Sequence, residues 1–248
     1  PASSPCHIPD QVVLVSEAIA NHTFYDRLID GLSTRNYEIY DRSGHDQFFA
    51  TFSAFHDAGH DRGSDMLVEV MRRAADQNIL YLELMTSPGM SEARKLAADM
   101  ASSDDLASMR SQFSDADLDQ IIGLVENGLT EMEQAARKTM ACDTAAAEPA
   151  CDVTVRYLAQ VIRVFPAPEV FSQVVYGMRL AQADNRVVGI NLVAPEDDPV
   201  TLADYTKQMQ AIGFAGAEMP DVGIALHAGE LTLGLVPPKD LRFHIRQA

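Results

Sequence analysis

Apolar positions along this chain change period repeatedly, and the changes divide it into helical and extended stretches. Over residues 64–77, Met66, Leu67, Val70, Met71 and Ala74 recur at the three-and-four spacing of an amphipathic helix. Asn78 is placed to stop it, and Ile79-Leu-Tyr-Leu-Glu-Leu-Met85 then reads as a strand ending at Thr86-Ser-Pro88. Helices are expected at about 91–101 and 114–140, the second with Ile121, Ile122, Val125, Leu129 and Met132 as its apolar stripe. The run from Val153 to Phe165 is rich in β-formers and predicts the next strand. Helix 168–182, strand 186–194, helix 201–212 and a short apolar strand over 223–229 follow in turn. Short strands separated by helices are the pattern of parallel β/α units, so the fold class is α/β. The strands near 79–85, 155–164, 187–193 and 223–229 are expected to be parallel and neighbours in sequence order. Glu83, inside the first of them, is expected to be a structural carboxylate with a buried partner, because an inward charge must be paired.

The first 63 residues read differently, as a helical segment preceding the β/α units of 64–248. Residues 1–21 yield no firm element. Residues 22–33 predict a helix with Phe24, Leu28 and Leu32 on one stripe. Ser43 is placed to cap the next helix, with Asp46 at the capping-box position. That helix carries Phe48, Phe49, Phe52 and Phe55, a pattern usual for a core-facing stripe. His56 and His60 stand four apart with Asp57 and Asp61 beside them, but Gly59 and the charged run mark a solvated helix end rather than a metal pair.

Composition narrows the function. The 248 residues are 47% hydrophobic and 22% charged, ordinary for a globular protein. No apolar run approaches 18 residues, so no membrane-spanning helix is expected. The formal charge of −17 argues against a nucleic-acid partner, since neutralising phosphates needs Lys and Arg. A neutral small molecule fits that charge without difficulty. Of the three cysteines, Cys142 and Cys151 bracket a loop-like insert, and such a pair can close a surface loop in an oxidising compartment. Cys6 is left over, and Asn21-His22-Thr23 is a glycosylation triplet.

The chemistry gathers in Gly223-Ile-Ala-Leu-His-Ala-Gly-Glu-Leu231. A strand there delivers His227 and Glu230 at its carboxyl end, where an α/β barrel keeps its active site. An imidazole binds zinc, and a nearby carboxylate can move protons around a metal-activated water. The string Leu226-His-Ala-Gly-Glu230 resembles the fifth-strand motif of the adenosine deaminase family. The continuation Leu233-Gly-Leu-Val-Pro-Pro-Lys-Asp-Leu-Arg-Phe-His-Ile-Arg246 is similar to that family's secreted, growth-factor-like branch and its bacterial relatives.

The resemblance implies a TIM-type (β/α)8 barrel, of which this chain carries the central portion, about strands two to five. It implies that His227 is a zinc ligand and that Glu230 protonates a purine ring while water attacks C6 and ammonia leaves. Phe48, Phe49 and Phe52 fall on the family's apolar lid over the substrate. Ala194, Gly229 and Ile162, at or near the ends of their strands, are the other candidate substrate-binding positions. Ala194, followed by Pro195-Glu196, stands where the cytosolic enzymes end their fourth strand in a glycine. The family's His-x-His pair occurs nowhere in this sequence, and its sixth-strand His and eighth-strand Asp pair are likewise not matched. The chain is therefore expected to be part of a longer one. The expected partner is a nucleoside, with no nucleic acid, no membrane and a possible homodimer; the expected compartment is periplasmic or extracellular. Two rival readings are a hydrolase of another aminated purine or nucleoside, and a secreted binding or signalling protein that has lost its catalytic constellation.

Overall fold

The computed structural model describes residues 13–248. The chain divides after Gly63 into two compact units. In the first, α1 (Val15–Ala20) and α2 (His22–Gly31) are followed by a 3-10 turn and by α3 (Gly44–Gly59). Asn21 caps α2 by accepting a hydrogen bond from the Phe24 amide, 3.1 Å away. Ser43 caps α3 through the Asp46 amide at 3.0 Å, as its position predicts. The phenylalanine stripe of α3 is not the face this helix buries. Gln47 and Thr51 are buried, and Gln47 donates to the Asp30 and Ser33 carbonyls. Phe48, Phe52 and Phe55 remain about half exposed, Phe48 and Phe52 edge-to-face and Phe52 and Phe55 tilted against each other along the helix.

The second unit alternates helix and strand. It runs α4 (Gly63–Asp76), β1 (Tyr81–Thr86), α5 (Met90–Lys95), α6 (Leu106–Ser111) and α7 (Asp115–Thr139). Then come β2 (Thr154–Ile162), α8 (Ala167–Ala183), β3 (Val187–Val193), α9 (Pro199–Glu218), β4 (Gly223–Ile224) and α10 (His244–Gln247). The four strands form one sheet in the order β1-β2-β3-β4, every pair parallel. This matches the expected order and direction, and it brings all four carboxyl ends to one edge.

Alternate residues divide the sheet between two faces. Tyr157, Ala159, Val161, Ile190 and Leu192 point into a core completed by α7, α8 and α9. Leu82 and Leu84 join a second cluster under α4, with Leu67, Val68, Met71 and Ala74. The buried stripe of α4 is thus turned from the expected one: Met66 is exposed and Val68 is buried. Asn78 ends this helix in the left-handed conformation at φ 58°, and the Ile79 amide returns to the Ala74 carbonyl at 2.8 Å. The opposite face of the sheet carries Tyr81, Glu83 and Met85, which are exposed. Glu83 accepts from the Tyr81 hydroxyl at 2.8 Å, so its partner is an exposed neighbour and not the buried one expected.

Cys142 and Cys151 are disulfide-bonded with Cα atoms 5.4 Å apart. The insert they close is held to α4 by a two-pronged pair between Arg72 and Glu148, both contacts at 2.6 Å. Cys6 lies outside the described residues.

Under the amino-terminal edge of the sheet, Arg186, just before β3, ties α7 to the end of α8. It binds Asp184, Glu133, the Thr130 hydroxyl and the Glu126 carbonyl, and Glu133 in turn accepts from the buried Tyr157 hydroxyl at 3.0 Å. Burial pushes the Asp184 carboxyl up, but the Arg186 side chain, amide and charge outweigh it and hold it below the usual carboxylate range. Its contribution to stability is therefore complete above pH ~4 and is lost as pH falls through the lowered folded value. Asp184→Asn should cost about 2–3 kcal/mol at neutral pH and flatten the acid limb of a stability-versus-pH curve from urea unfolding. An unchanged acid limb would show that other carboxylates set it.

A close approach controls how β4 sits. Gly189 and Gly223 face each other in register, and a Cβ on Gly189 would stand 2.3 Å from the Gly223 carbonyl oxygen. Gly189→Ala should therefore force β4 outward, lower stability by about 1–3 kcal/mol and lower the thermal midpoint by several degrees. A wild-type midpoint in that variant would show that the crossing has slack.

Candidate functional site

The carboxyl edge of the sheet is where the sequence places its candidate chemistry. β4 is shorter than the 223–229 expected: only Gly223 and Ile224 pair fully with β3, and the Ala225 amide adds one bond to the Ile190 carbonyl at 3.0 Å. Beyond it the chain continues without regular structure through His227 to Glu230. The last helix, α10, is a single turn.

His227 is half-buried on the same sheet face as Asn191 of β3, and its Nδ1 meets Asn191 Oδ1 at 2.7 Å. An amide oxygen only accepts, so Nδ1 is the donor here, and in the neutral ring Nε2 then keeps its lone pair. This is the tautomer in which a histidine ligates a metal, its other nitrogen fixed by a neighbouring acceptor. The donor chemistry of His227 thus fits a zinc ligand. Among the described residues there is no cluster of three or more His, Cys, Asp or Glu that would hold the ion.

Glu230 is half-exposed, and its Oε2 lies 3.3 Å from Nη2 of Arg163. Arg163 directly follows β2 and has no exposed surface. Its Nε donates to the Ala194 carbonyl at 2.8 Å and its Nη1 to the His227 carbonyl at 3.1 Å. Burial pulls this guanidinium below its ordinary value, against the opposing charges of Glu196 and Glu230, and an arginine so placed stays charged. Glu196 is only 1% exposed and accepts from the Gly229 amide at 3.1 Å and from the Glu230 amide. The same carboxylate accepts from His244 Nδ1 at 2.6 Å. The His244 ring stacks on Tyr205 at 3.6 Å, and its buried Nε2 finds no hydrogen-bond partner among the described residues. Burial beside Glu196 pushes the Tyr205 hydroxyl up to about 12.

The remaining candidates fall into two groups. Ala194 directly follows β3 at φ 88°, a conformation that explains why glycine suits this position and that costs an alanine about 1–3 kcal/mol. Gly229 also has positive φ, 82°, and a Cβ there would meet Ile245 at 2.7 Å. Ile162 closes β2, with its amide and carbonyl both bound by Gln173. These three share the carboxyl edge with His227 and Glu230. Phe48, Phe49 and Phe52 belong to the N-terminal unit and not to the sheet. Farther along the same edge, the Ser87 hydroxyl donates to Gln160 at 2.9 Å.

Arg163, Glu196, Asn191 and His244 stand outside the motif that marks His227 and Glu230 in the sequence. For Arg163 and Glu196 a signal exists: each strand's apolar run is followed within three residues by a polar or charged side chain, and residues at those offsets converge in a parallel sheet. Among family models, curated proteins and solved structures, none matches this chain. Among the described residues no helix is long and apolar enough to cross a membrane.

Proposed function

We propose that the chain is the central portion of a zinc-dependent aminohydrolase of the adenosine deaminase type. The reaction is hydrolysis of adenosine or 2′-deoxyadenosine to inosine or 2′-deoxyinosine, with release of ammonia. The observation that carries the reading is the pair at the end of β4. His227 is held by Asn191 with Nε2 as its open donor, and Glu230 is held three residues later by Arg163. Zinc, when bound, would supply an acidified water as nucleophile, and His227 is the residue of this chain that would hold it. Water adds its oxygen to C6 while Glu230 gives a proton to the adjacent ring nitrogen; the bond from C6 to the amino nitrogen then breaks, and of the two water protons one leaves with the amino group as ammonia and the other restores Glu230, leaving the 6-oxo product.

The sequential order of four parallel strands, with helices packed on one face, supports a barrel rather than a doubly wound sheet, whose order reverses and whose faces are both covered. In a barrel the face bearing Tyr81, Glu83 and Met85 points inward. The acidic charge suits a neutral nucleoside, and the Cys142–Cys151 bond fits the periplasm or an extracellular medium.

The experiment is made on the full-length protein, assayed for bound zinc and for ammonia release from a panel of nucleosides. His227→Ala should lose both metal and turnover. Glu230→Gln keeps the size of the side chain but gives no acid proton, and should lose about 10²–10⁴ in kcat with zinc content near wild type. Wild-type turnover in Glu230→Gln sinks the acid role. A full-length protein that holds zinc but acts on another aminated purine redirects the substrate. One that holds no zinc and deaminates nothing leaves a binding protein of the same fold.

A further inference from the structure

We infer that Arg163 and Glu196 are positioning residues that aim the Glu230 side chain, an assignment resting on the deaminase reading of Glu230. The turn from His227 to Glu230 lacks regular structure, yet it is held from both ends by two side chains that solvent scarcely reaches. Arg163 binds the carbonyl that starts the turn and the carboxylate that ends it, and its third contact ties both to the Ala194 carbonyl after β3. Glu196 takes the successive amides of Gly229 and Glu230 on its two oxygens, Oε1 and Oε2, while His244 fixes the carboxylate from behind. Backbone and side chain of Glu230 are therefore fixed by separate residues on separate loops.

The residue types are specific to the task. Two adjacent N–H donors need two acceptors, which a carboxylate has; an amide in its place would turn an NH2 group toward one of them. Three acceptors in three directions need the planar fork of a guanidinium, and a lysine ammonium of equal charge cannot span them from one point. The two charges also serve each other, since a buried cation and a buried carboxylate are each costly without the other. Remote positioning of this kind acts on the reacting geometry, where a displacement of about 1 Å costs on the order of 10²-fold in rate.

The test compares wild type, Glu196→Gln, Glu196→Asp and Arg163→Lys in the full-length protein. It uses two readouts: amide hydrogen exchange at Gly229 and Glu230, and kcat and KM for adenosine. Glu196→Gln should speed exchange at those two amides by about tenfold or more and lower kcat about 10²-fold, with KM changed less than about threefold. Glu196→Asp keeps both acceptors and should recover most of the protection and most of kcat. Arg163→Lys should lose kcat to a similar extent while keeping the charge, and it carries the test if Glu196→Gln does not fold. Unchanged exchange in Glu196→Gln, or wild-type kcat in a folded Arg163→Lys, overturns the assignment. A wild type that deaminates nothing overturns the functional reading instead, and amide exchange still decides whether the turn is braced.

Discussion

A guanidinium without exposed surface is the constraint to which the carboxyl edge of this sheet conforms. Taking that charge from water costs several kcal/mol, which is recovered only if every donor finds an acceptor and a countercharge lies close. The Arg163 acceptors come from three stretches of chain: the end of β3, the residue after Leu226, and Glu230. None of these stretches is regular secondary structure, so none has a ladder of its own to hold it. Their positions follow from the charge they surround. Glu196 completes the arrangement, because its two oxygens satisfy amides that would otherwise be unpaired beside a buried cation.

Close backbone approach does the corresponding work between β3 and β4. With glycines facing at Gly189 and Gly223, the two strands meet without intervening side chains, and β4 needs only two fully paired residues before it leaves the ladder. Its short length is then an advantage to the site. Two residues past the last ladder bond, the same side-chain alternation sets His227 beside Asn191 on β3. The ladder gives the direction, and the Asn191 hydrogen bond selects the tautomer.

Strand order and helix placement were legible in the sequence because period is a local property read by a local pattern. Ile79 to Met85, Val153 to Phe165 and Arg186 to Ala194 each overlap the strand that formed, with ends displaced by one to three residues. Asn78 as a stop and Ser43 as a cap were legible for the same reason, since their partners lie within four residues. What failed depends on the tertiary surroundings. Met66 and Val68 differ in which of two adjacent helical faces meets a neighbour, and α3 buries Gln47 because the Asp30 and Ser33 carbonyls need donors. Arg163 and Glu196 were missed because their partners lie more than thirty residues away in the chain. The motif around His227 announced itself by residue type, whereas the side chains that aim it look like ordinary strand-end polar residues.

The two edges of the sheet also differ in how completely their polar groups are satisfied. At the amino-terminal edge, Arg186, Asp184, Glu133 and Tyr157 form a closed set in which each charge and hydroxyl has a partner. That arrangement suits an edge whose task is stability. The carboxyl edge holds an alanine at φ 88°, a buried His244 Nε2 without a partner among the described residues, and a carboxylate, Glu230, half open to solvent. Thr201 and Gln208 of α9, the helix against which His244 packs, each add a buried oxygen without a partner among the described residues. Each of these costs free energy that an apolar or fully paired edge would not spend, and such costs persist where the surrounding structure over-determines them. Strain, unfilled hydrogen-bond capacity and a braced carboxylate at one edge, against closure at the other, set the polarity of the sheet. These features gather around His227 and Glu230, and they do so without reference to any motif.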